Sequence, residues 1–259
     1  MKDRPIETLV LRRFLSFAER IEITFGSVTF LVGRNGAGKS NIIRSLEFLN
    51  EATGAPLWTV LERRGGLARI RTTTAINRRP AEVGIGMAGT SGGIAFGYGL
   101  GLTSGGKEGY RVAHEELYSQ EDSLSRATRR LLDRLLSADG ADQESRIDTD
   151  PESSDDKLKD MWFFRTGQKF KPPYGNDNIT VPEYALVLPS LAGTPTYMKL
   201  GRALTDIRIY DIETARMSEL QEPSSARHLS RDGSNAASIL RALSKPARER
   251  IAEALAIIL

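Results

Sequence analysis

Cysteine is absent from the 259 residues. Disulfides, thiolate metal centres and a cysteine nucleophile are therefore excluded, and a cytoplasmic setting is expected. Only two histidines occur, His114 and His228, too few for a histidine-rich metal centre. No stretch approaches the roughly 18 consecutive apolar residues of a membrane-crossing helix, so no membrane partner is expected. Met1-Lys2-Asp3-Arg4-Pro5 has no apolar core behind its charges and does not read as a secretory signal. An excess of one charge is lacking too: 36 basic and 33 acidic residues leave +3. That balance alone argues for no nucleic-acid partner. Lysine is scarce, nine against 27 arginines. Arginine is the better bidentate ligand for phosphate, although an arginine-biased codon usage gives the same ratio.

What is present is ordinary for a folded chain: 40% apolar and 27% charged residues, enough to exclude wholesale disorder. The length suits one large domain or two small ones. Ile6 to Leu11 and Ile21 to Phe25 read as strands, and Val28 to Val32 as a short buried strand. Ile42, Ile43, Leu46 and Leu49 then recur at helical spacing, with a stop near Asn50 to Gly54. Ala68 to Thr73, Ala81 to Met87, Gly92 to Leu102 and Tyr110 to Leu117 read as antiparallel strands between Gly, Pro and Ser punctuation. Leu124 to Leu136 reads as an amphipathic helix. Residues 137–160 hold nine acidic residues and read as a solvated linker. Met161 to Phe170 reads as a strand. Helices are expected over Glu183 to Leu191, Tyr197 to Ile207, Ala236 to Leu243 and beyond Pro246.

One motif carries chemistry. Gly33-Arg34-Asn35-Gly36-Ala37-Gly38-Lys39-Ser40 fits G-x-x-x-x-G-K-[ST] without a mismatch, between an apolar strand pattern and an amphipathic helix pattern. Glycines let the backbone curl so that successive N–H groups face phosphate oxygens. The helix that follows adds the positive end of its dipole. Lys39 is expected to reach the β- and γ-phosphates, and the Ser40 hydroxyl to ligate Mg²⁺. The expected nucleotide-binding set is Gly33, Arg34, Asn35, Gly36, Ala37, Gly38, Lys39, Ser40 and Asn41, with Lys39 as the catalytic residue.

The run Phe30 to Asn41 resembles the first nucleotide motif of ABC-type ATPase heads in the RecF, SMC and OLD group, predicted bacterial AAA-family ATPases. The Arg13-Phe14-Leu15-Ser16-Phe17 element lies where those proteins carry their N-terminal strand turn. Leu229-Ser230-Arg231-Asp232-Gly233-Ser234-Asn235-Ala236-Ala237 is similar to another of their segments. Gly65-Gly66 and the Tyr110 to Leu117 strand look like their first lobe. The resemblance implies an α/β P-loop NTPase fold: an ABC-ATPase-like N-terminal lobe with an antiparallel β-layer and helical additions. It also implies a division into 1–54 (strands, Walker A and first helix), 55–118 (antiparallel β-layer), 119–182 (helix and acidic linker) and 183–259 (helical segment leading to a C-terminal lobe).

The sequence departs from the family in three respects. A basic residue usually precedes the serine of the N-terminal turn, where this chain has Leu15. No apolar strand ends in the Asp-Glu of a Walker B motif. No ABC signature or switch histidine follows. The family places those elements in a C-terminal lobe, and this chain ends at Ala256-Ile257-Ile258-Leu259 where that lobe is expected to begin. The resemblance therefore implies a head that binds Mg·ATP but hydrolyses it poorly without the other lobe or a second subunit. It further implies ATP-dependent homodimers and action on DNA in repair, chromosome handling or phage defence.

Weaker features stand beside that motif. Leu102-Thr103-Ser104-Gly105-Gly106-Lys107-Glu108 mimics the Leu-Ser-Gly-Gly signature but joins two strand patterns and reads as a hairpin turn. Six arginines and no acid lie between 63 and 79. Arg69 and Arg71 are expected on one strand face, as candidate DNA contacts or as a solvated face without aromatic platforms. His114-Glu115-Glu116 alternates across a strand and is not expected to converge on one ion. His228 reads as a surface residue, and the acidic run Asp148 to Asp160 lacks calcium-loop spacing. Two other function classes stay open. One is a self-contained P-loop kinase or NTPase that uses Asp206 or Asp211 on Mg²⁺. The other is a non-catalytic DNA-binding subunit with ATP as a conformational ligand.

Overall fold

The β-rich run Ile6 to Leu11 lies in a strand, β1 (Arg4–Arg12), which is paired on both sides and buries Leu9, Val10 and Leu11 in succession. The computed structural model describes residues 4–73, 82–91, 94–121, 161–166, 169–171, 179–191, 201, 204 and 207–258. β2 (Ile21–Thr24) lies at the edge beside β1. On the other side of β1 come β3 (Val83–Ser91), β4 (Ile94–Ser104), β5 (Tyr110–Glu121), β6 (Met161–Thr166), β7 (Lys169–Lys171) and β8 (Ile179–Thr180). The order is β2-β1-β3-β4-β5-β6-β7-β8, and every adjacent pair is antiparallel.

The register explains the glycine content of this sheet. Gly84, Gly86 and Ala88 of β3 stand opposite Gly101, Gly99 and Gly97 of β4. Successive side chains alternate between faces, so the intervening positions form rows of large residues on the other face. Leu9, Met87, Tyr98 and Leu117 make one row; Leu11, Ile85, Leu100 and Glu115 make the next. All eight are buried.

Glu115 is the charged member of an otherwise apolar row, and it is fully satisfied. Its carboxylate accepts from the Tyr98 hydroxyl at 3.0 Å and from the backbone N–H groups of Val187 and Leu188 at 2.7 and 2.9 Å. It therefore pins the 3-10 turn Leu188–Leu191 to the sheet. The helix α1 (Lys39–Gly54) buries Ser45, Leu46, Phe48, Leu49, Ala52 and Thr53. Its Phe48 ring meets Phe14, just beyond β1, with centroids 5.8 Å apart, and the Arg64 guanidinium sits 5.7 Å over the same ring. Two short helices follow, α2 (Leu57–Arg63) and α3 (Leu67–Ile70).

The chain forms two compact units, Met1–Ile207 and Arg208–Leu259. The second contains α4 (Thr214–Ser218), α5 (Ala236–Ala242) and α6 (Lys245–Ile258).

Several local expectations are corrected. Ala68 to Thr73 is not a strand: Leu67 and Ile70 are buried one helical turn apart in α3, and only Arg71 forms a bridge, with Phe14. The helix α2 lies within the stretch expected to be a β-layer; its buried Leu57, Val60 and Leu61 have helical spacing. Val28 to Val32 pairs with no strand among the described residues, and Val28, Phe30 and Val32 are 71, 84 and 89% exposed. A strand exists only through its ladder, and nothing described here supplies one. Glu183 to Leu191 is a loop ending in the 3-10 turn, because its backbone is drawn onto Glu115. The expected strand Met161 to Phe170 is divided into β6 and β7. The expected helix Leu124 to Leu136, the acidic linker 137–160 and most of the expected helix Tyr197 to Ile207 lie outside the described residues.

Candidate functional site

The glycine-rich loop ends where α1 begins. Gly36 and Gly38 take φ of 83° and 91°, a backbone region that residues with a Cβ rarely adopt. Gly38 is the N-cap of α1, and no side chain caps the helix. The first turn carries no acidic residue. The Asn41 and Ile42 N–H groups both turn back to the Gly38 carbonyl, at 2.9 and 3.2 Å. Among the described residues, the N–H groups of Gly36, Gly38, Lys39 and Ser40 have no acceptor. A helix start in that state presents donors and positive dipole to an anion.

Lys39 completes the cradle from within. Its ammonium donates to the carbonyls of Gly33 and Arg34, at 2.6 and 2.8 Å. The side chain is thereby folded over the loop rather than extended into solvent. Gly33 to Ala37 and Ser40 are exposed, so the cradle is open. A phosphate chain fits this arrangement: donors without acceptors, a cation at hand and no carboxylate in the first turn to repel it.

A second element closes on the loop. The turn after β1 places Phe17 and Ser16 against Gly38. A Cβ on Gly38 would lie 2.8 Å from Phe17 Cζ and 3.0 Å from Ser16 Oγ. Asn41 Nδ2 donates to Ser16 Oγ at 2.8 Å, and Asn41 Oδ1 accepts from Arg44 at 3.3 Å. The sequence marks this turn only by its resemblance to a family N-terminal strand turn; the pairing of Ser16 with Asn41, 25 residues on, carries no local signal.

The remaining candidates are spread over other places. Arg69 lies in α3 and Arg71 follows it, and residues two apart on a helical turn do not share a face. The expected shared strand face is thus replaced. Arg69 is exposed, with its stem over Gly65, whereas Arg71 donates to Ser104 Oγ at 3.0 Å. The Gly105-Gly106 segment turns between β4 and β5, where Gly105, Gly106 and Gly109 all have positive φ. His114 and Glu116 face Gly101 and Gly99, and Glu115 faces the opposite side. His114 is buried, with Nδ1 at 3.5 Å from Glu82. Burial is the largest single influence and opposes its protonation. The hydrogen bond and charge of Glu82, with the charge of Glu116, outweigh burial and the nearby Arg12, so the His114 pKa is raised. No cluster of His, Asp and Glu suited to a metal occurs among the described residues.

In the second unit, Asn235 locks the Asp-Gly-Ser-Asn loop. Its Oδ1 accepts from the Ser230 N–H at 2.7 Å and its Nδ2 donates to the His228 carbonyl at 3.0 Å. Asp232 accepts from the Ser234 N–H at 3.0 Å, which holds its carboxyl below the usual range. Asp211 belongs to this unit and is exposed, and its backbone N–H pairs with the Arg231 carbonyl at 2.8 Å. Asp206 lies outside the described residues.

The family model of an AAA domain, described as a putative AbiEii toxin of a type IV toxin–antitoxin system, matches residues 28–187. The match spans more than half of the chain and includes the whole glycine loop. The chain belongs to this AAA family. It is therefore a P-loop ATPase domain of the α/β class. Among solved structures, one described for ATP-driven dimerization and DNA-stimulated activation of SMC ATPases is similar over 51% of this chain and 77% of its own. The identity is 19% and the TM-score 0.29. No curated protein matches the chain. Among the described residues, no helix of this AAA domain is long and apolar enough to cross a membrane.

Proposed function

We propose that this AAA domain binds Mg·ATP as one lobe of an ABC-like head of the RecF, SMC and OLD kind, acting in the cytoplasm. The observation that carries the reading is the bare start of α1, with unaccepted N–H groups and the Lys39 ammonium folded over the loop. Gly33 to Gly38 cradle the phosphates through the backbone. Lys39 neutralises charge at the β- and γ-phosphates, and Ser40 offers its hydroxyl to Mg²⁺. When bound there, the ion would supply positive charge that offsets the negative charge of the phosphates. Asn41 stands in the same loop, but its amide is engaged with Ser16 and Arg44.

In this reading the chain binds nucleotide and turns it over poorly by itself. Two features support that. No Walker B Asp-Glu or signature is present in the sequence. The apolar run Val28 to Val32, which leads into the glycine loop, is exposed and unpaired among the described residues. A strand from a C-terminal lobe, in cis or from a second subunit, would pair with it and bring the acid that positions water. ATP-dependent homodimers and action on DNA in repair, chromosome handling or phage defence follow from the same family logic. The matched family's description adds a toxin–antitoxin setting. Exposed Arg69 is the better of the two candidate DNA contacts, because Arg71 already serves Ser104.

The test is steady-state ATP hydrolysis by residues 1–259. Binding with turnover far below ordinary enzyme rates (about 1 s⁻¹ or more) is expected. Lys39-dependent turnover at ordinary rates would favour a self-contained P-loop enzyme instead.

A further inference from the structure

We infer that Ser16 and Asn41 are positioning residues for the phosphate loop, and that the turn after β1 is the brace that sets the start of α1. The inference rests on the nucleotide-binding reading above. The loop from Gly33 to Ser40 is exposed at most positions, and Gly38 is its buried member. The turn leaves no room at Gly38: a Cβ there would meet the Phe17 ring at 2.8 Å and Ser16 Oγ at 3.0 Å. Three residues further on, Asn41 reaches back 25 positions in sequence to hydrogen-bond Ser16. Two contacts thus straddle Lys39 and Ser40, one on either side.

The turn has its own anchorage. Leu15 N–H donates to the Ile70 carbonyl at 2.7 Å, Thr72 N–H to the Arg13 carbonyl at 2.8 Å, and Thr72 Oγ1 to the Phe17 carbonyl at 3.0 Å. Arg13 and Leu15 take φ of 53° and 50°, a left-handed conformation that non-glycine residues adopt only when their surroundings impose it. The segment 70–72 imposes it here. A turn held in that way is rigid enough to fix whatever leans on it.

Asn41 is engaged within the protein: its N–H donates to the Gly38 carbonyl, its Nδ2 donates to Ser16 Oγ and its Oδ1 accepts from Arg44. In this inference Ser16 and Asn41 act on the phosphates through the loop that they hold. Removing the hydrogen bond frees the first turn of α1, which has no side-chain cap to hold it. The donors must then be ordered when nucleotide binds, and that ordering weakens affinity.

The experiment is a Mg²⁺-dependent titration of a fluorescent ATP analogue into wild type, Ser16→Ala, Asn41→Ala, the double variant, Ser16→Thr and Lys39→Ala, each with its thermal midpoint. Each alanine variant is expected to lose about fivefold in affinity, about 1 kcal/mol, with a wild-type thermal midpoint. The double variant should lose no more than one single, as expected for a shared interaction. Ser16→Thr, which keeps the hydroxyl, should bind as wild type. Wild-type affinity in both alanine variants, with Lys39→Ala impaired, would overturn the positioning role and leave nucleotide binding standing. Additive losses would also overturn it. Absence of binding by folded wild type would overturn the nucleotide reading itself, and this inference with it.

Discussion

Glu115 shows how far one side chain can organise this sheet. It sits in a row of Leu11, Ile85 and Leu100 and gathers three donors. Glu115→Ala strips partners from two backbone N–H groups and a hydroxyl in the interior. A loss of about 3 kcal/mol is expected, read as a lower urea midpoint at unchanged slope. Gly38→Ala meets both a positive φ and the Phe17 ring at 2.8 Å. It should cost about 1–3 kcal/mol and weaken nucleotide binding, measured in the same titration format. His114 gives a pH dependence with a definite sign. Its folded pKa lies above the ordinary 6.5, so its stabilising contribution is complete below about 6.5 and is lost as pH rises through the raised folded value. Urea midpoints should fall across that window in wild type and fall less in Glu82→Gln, which removes the acceptor charge. The motif Gly33 to Ser40 was recognisable from sequence because its glycines, lysine and serine stand at fixed spacing, and the structure places it at the start of α1. The roles of Glu115 and Ser16 were not, since the backbone N–H groups that Glu115 holds lie 72 and 73 residues away and the Asn41 that meets Ser16 lies 25 away.

At the scale of elements, the sequence was informative where a segment is long and bounded by turn residues. β1, β3, β4, β5 and α1 stand where β-rich runs between Gly, Pro and Ser, or helical spacing, put them, to within a few residues. It failed where a short segment takes its conformation from neighbours. Ala68 to Thr73 has a strand-like pattern, yet Leu67 and Ile70 bury one helical turn, and the backbone beyond them props the β1 turn. The α1 helix is held by its buried face, so Leu49→Ala should cost about 2–5 kcal/mol, scored by chemical denaturation. The glycine lane across β3 and β4 has a steric reason at one point. A Cβ on Gly101 would lie 2.1 Å from the His114 ring. Gly101→Ala should therefore destabilise by about 1–3 kcal/mol, the range for overpacking, and should be relieved in part by His114→Ala.

For the whole molecule, the run Val28 to Val32 is unpaired among the described residues, and in the proposed reading it awaits a strand from a C-terminal lobe. Its exposed Val28, Phe30 and Val32, near the start of the nucleotide loop in sequence, form the kind of apolar surface that marks an interaction site. Val28→Thr, Phe30→Thr and Val32→Thr together should reduce binding of a hydrophobic dye and aggregation on warming, while leaving nucleotide affinity within about twofold. No inspection of sequence alone revealed this exposure, because an apolar run predicts a buried strand whichever chain supplies its partner. In the proposed reading the loop at the start of α1 is a phosphate cradle completed by Lys39. Its most direct test is the titration of a fluorescent ATP analogue with Mg²⁺ on wild type and Lys39→Ala. Saturable binding that weakens at least about tenfold in the variant, about 1.4 kcal/mol, is the predicted result. Equal affinity in the two proteins, or none in a folded wild type, would contradict it.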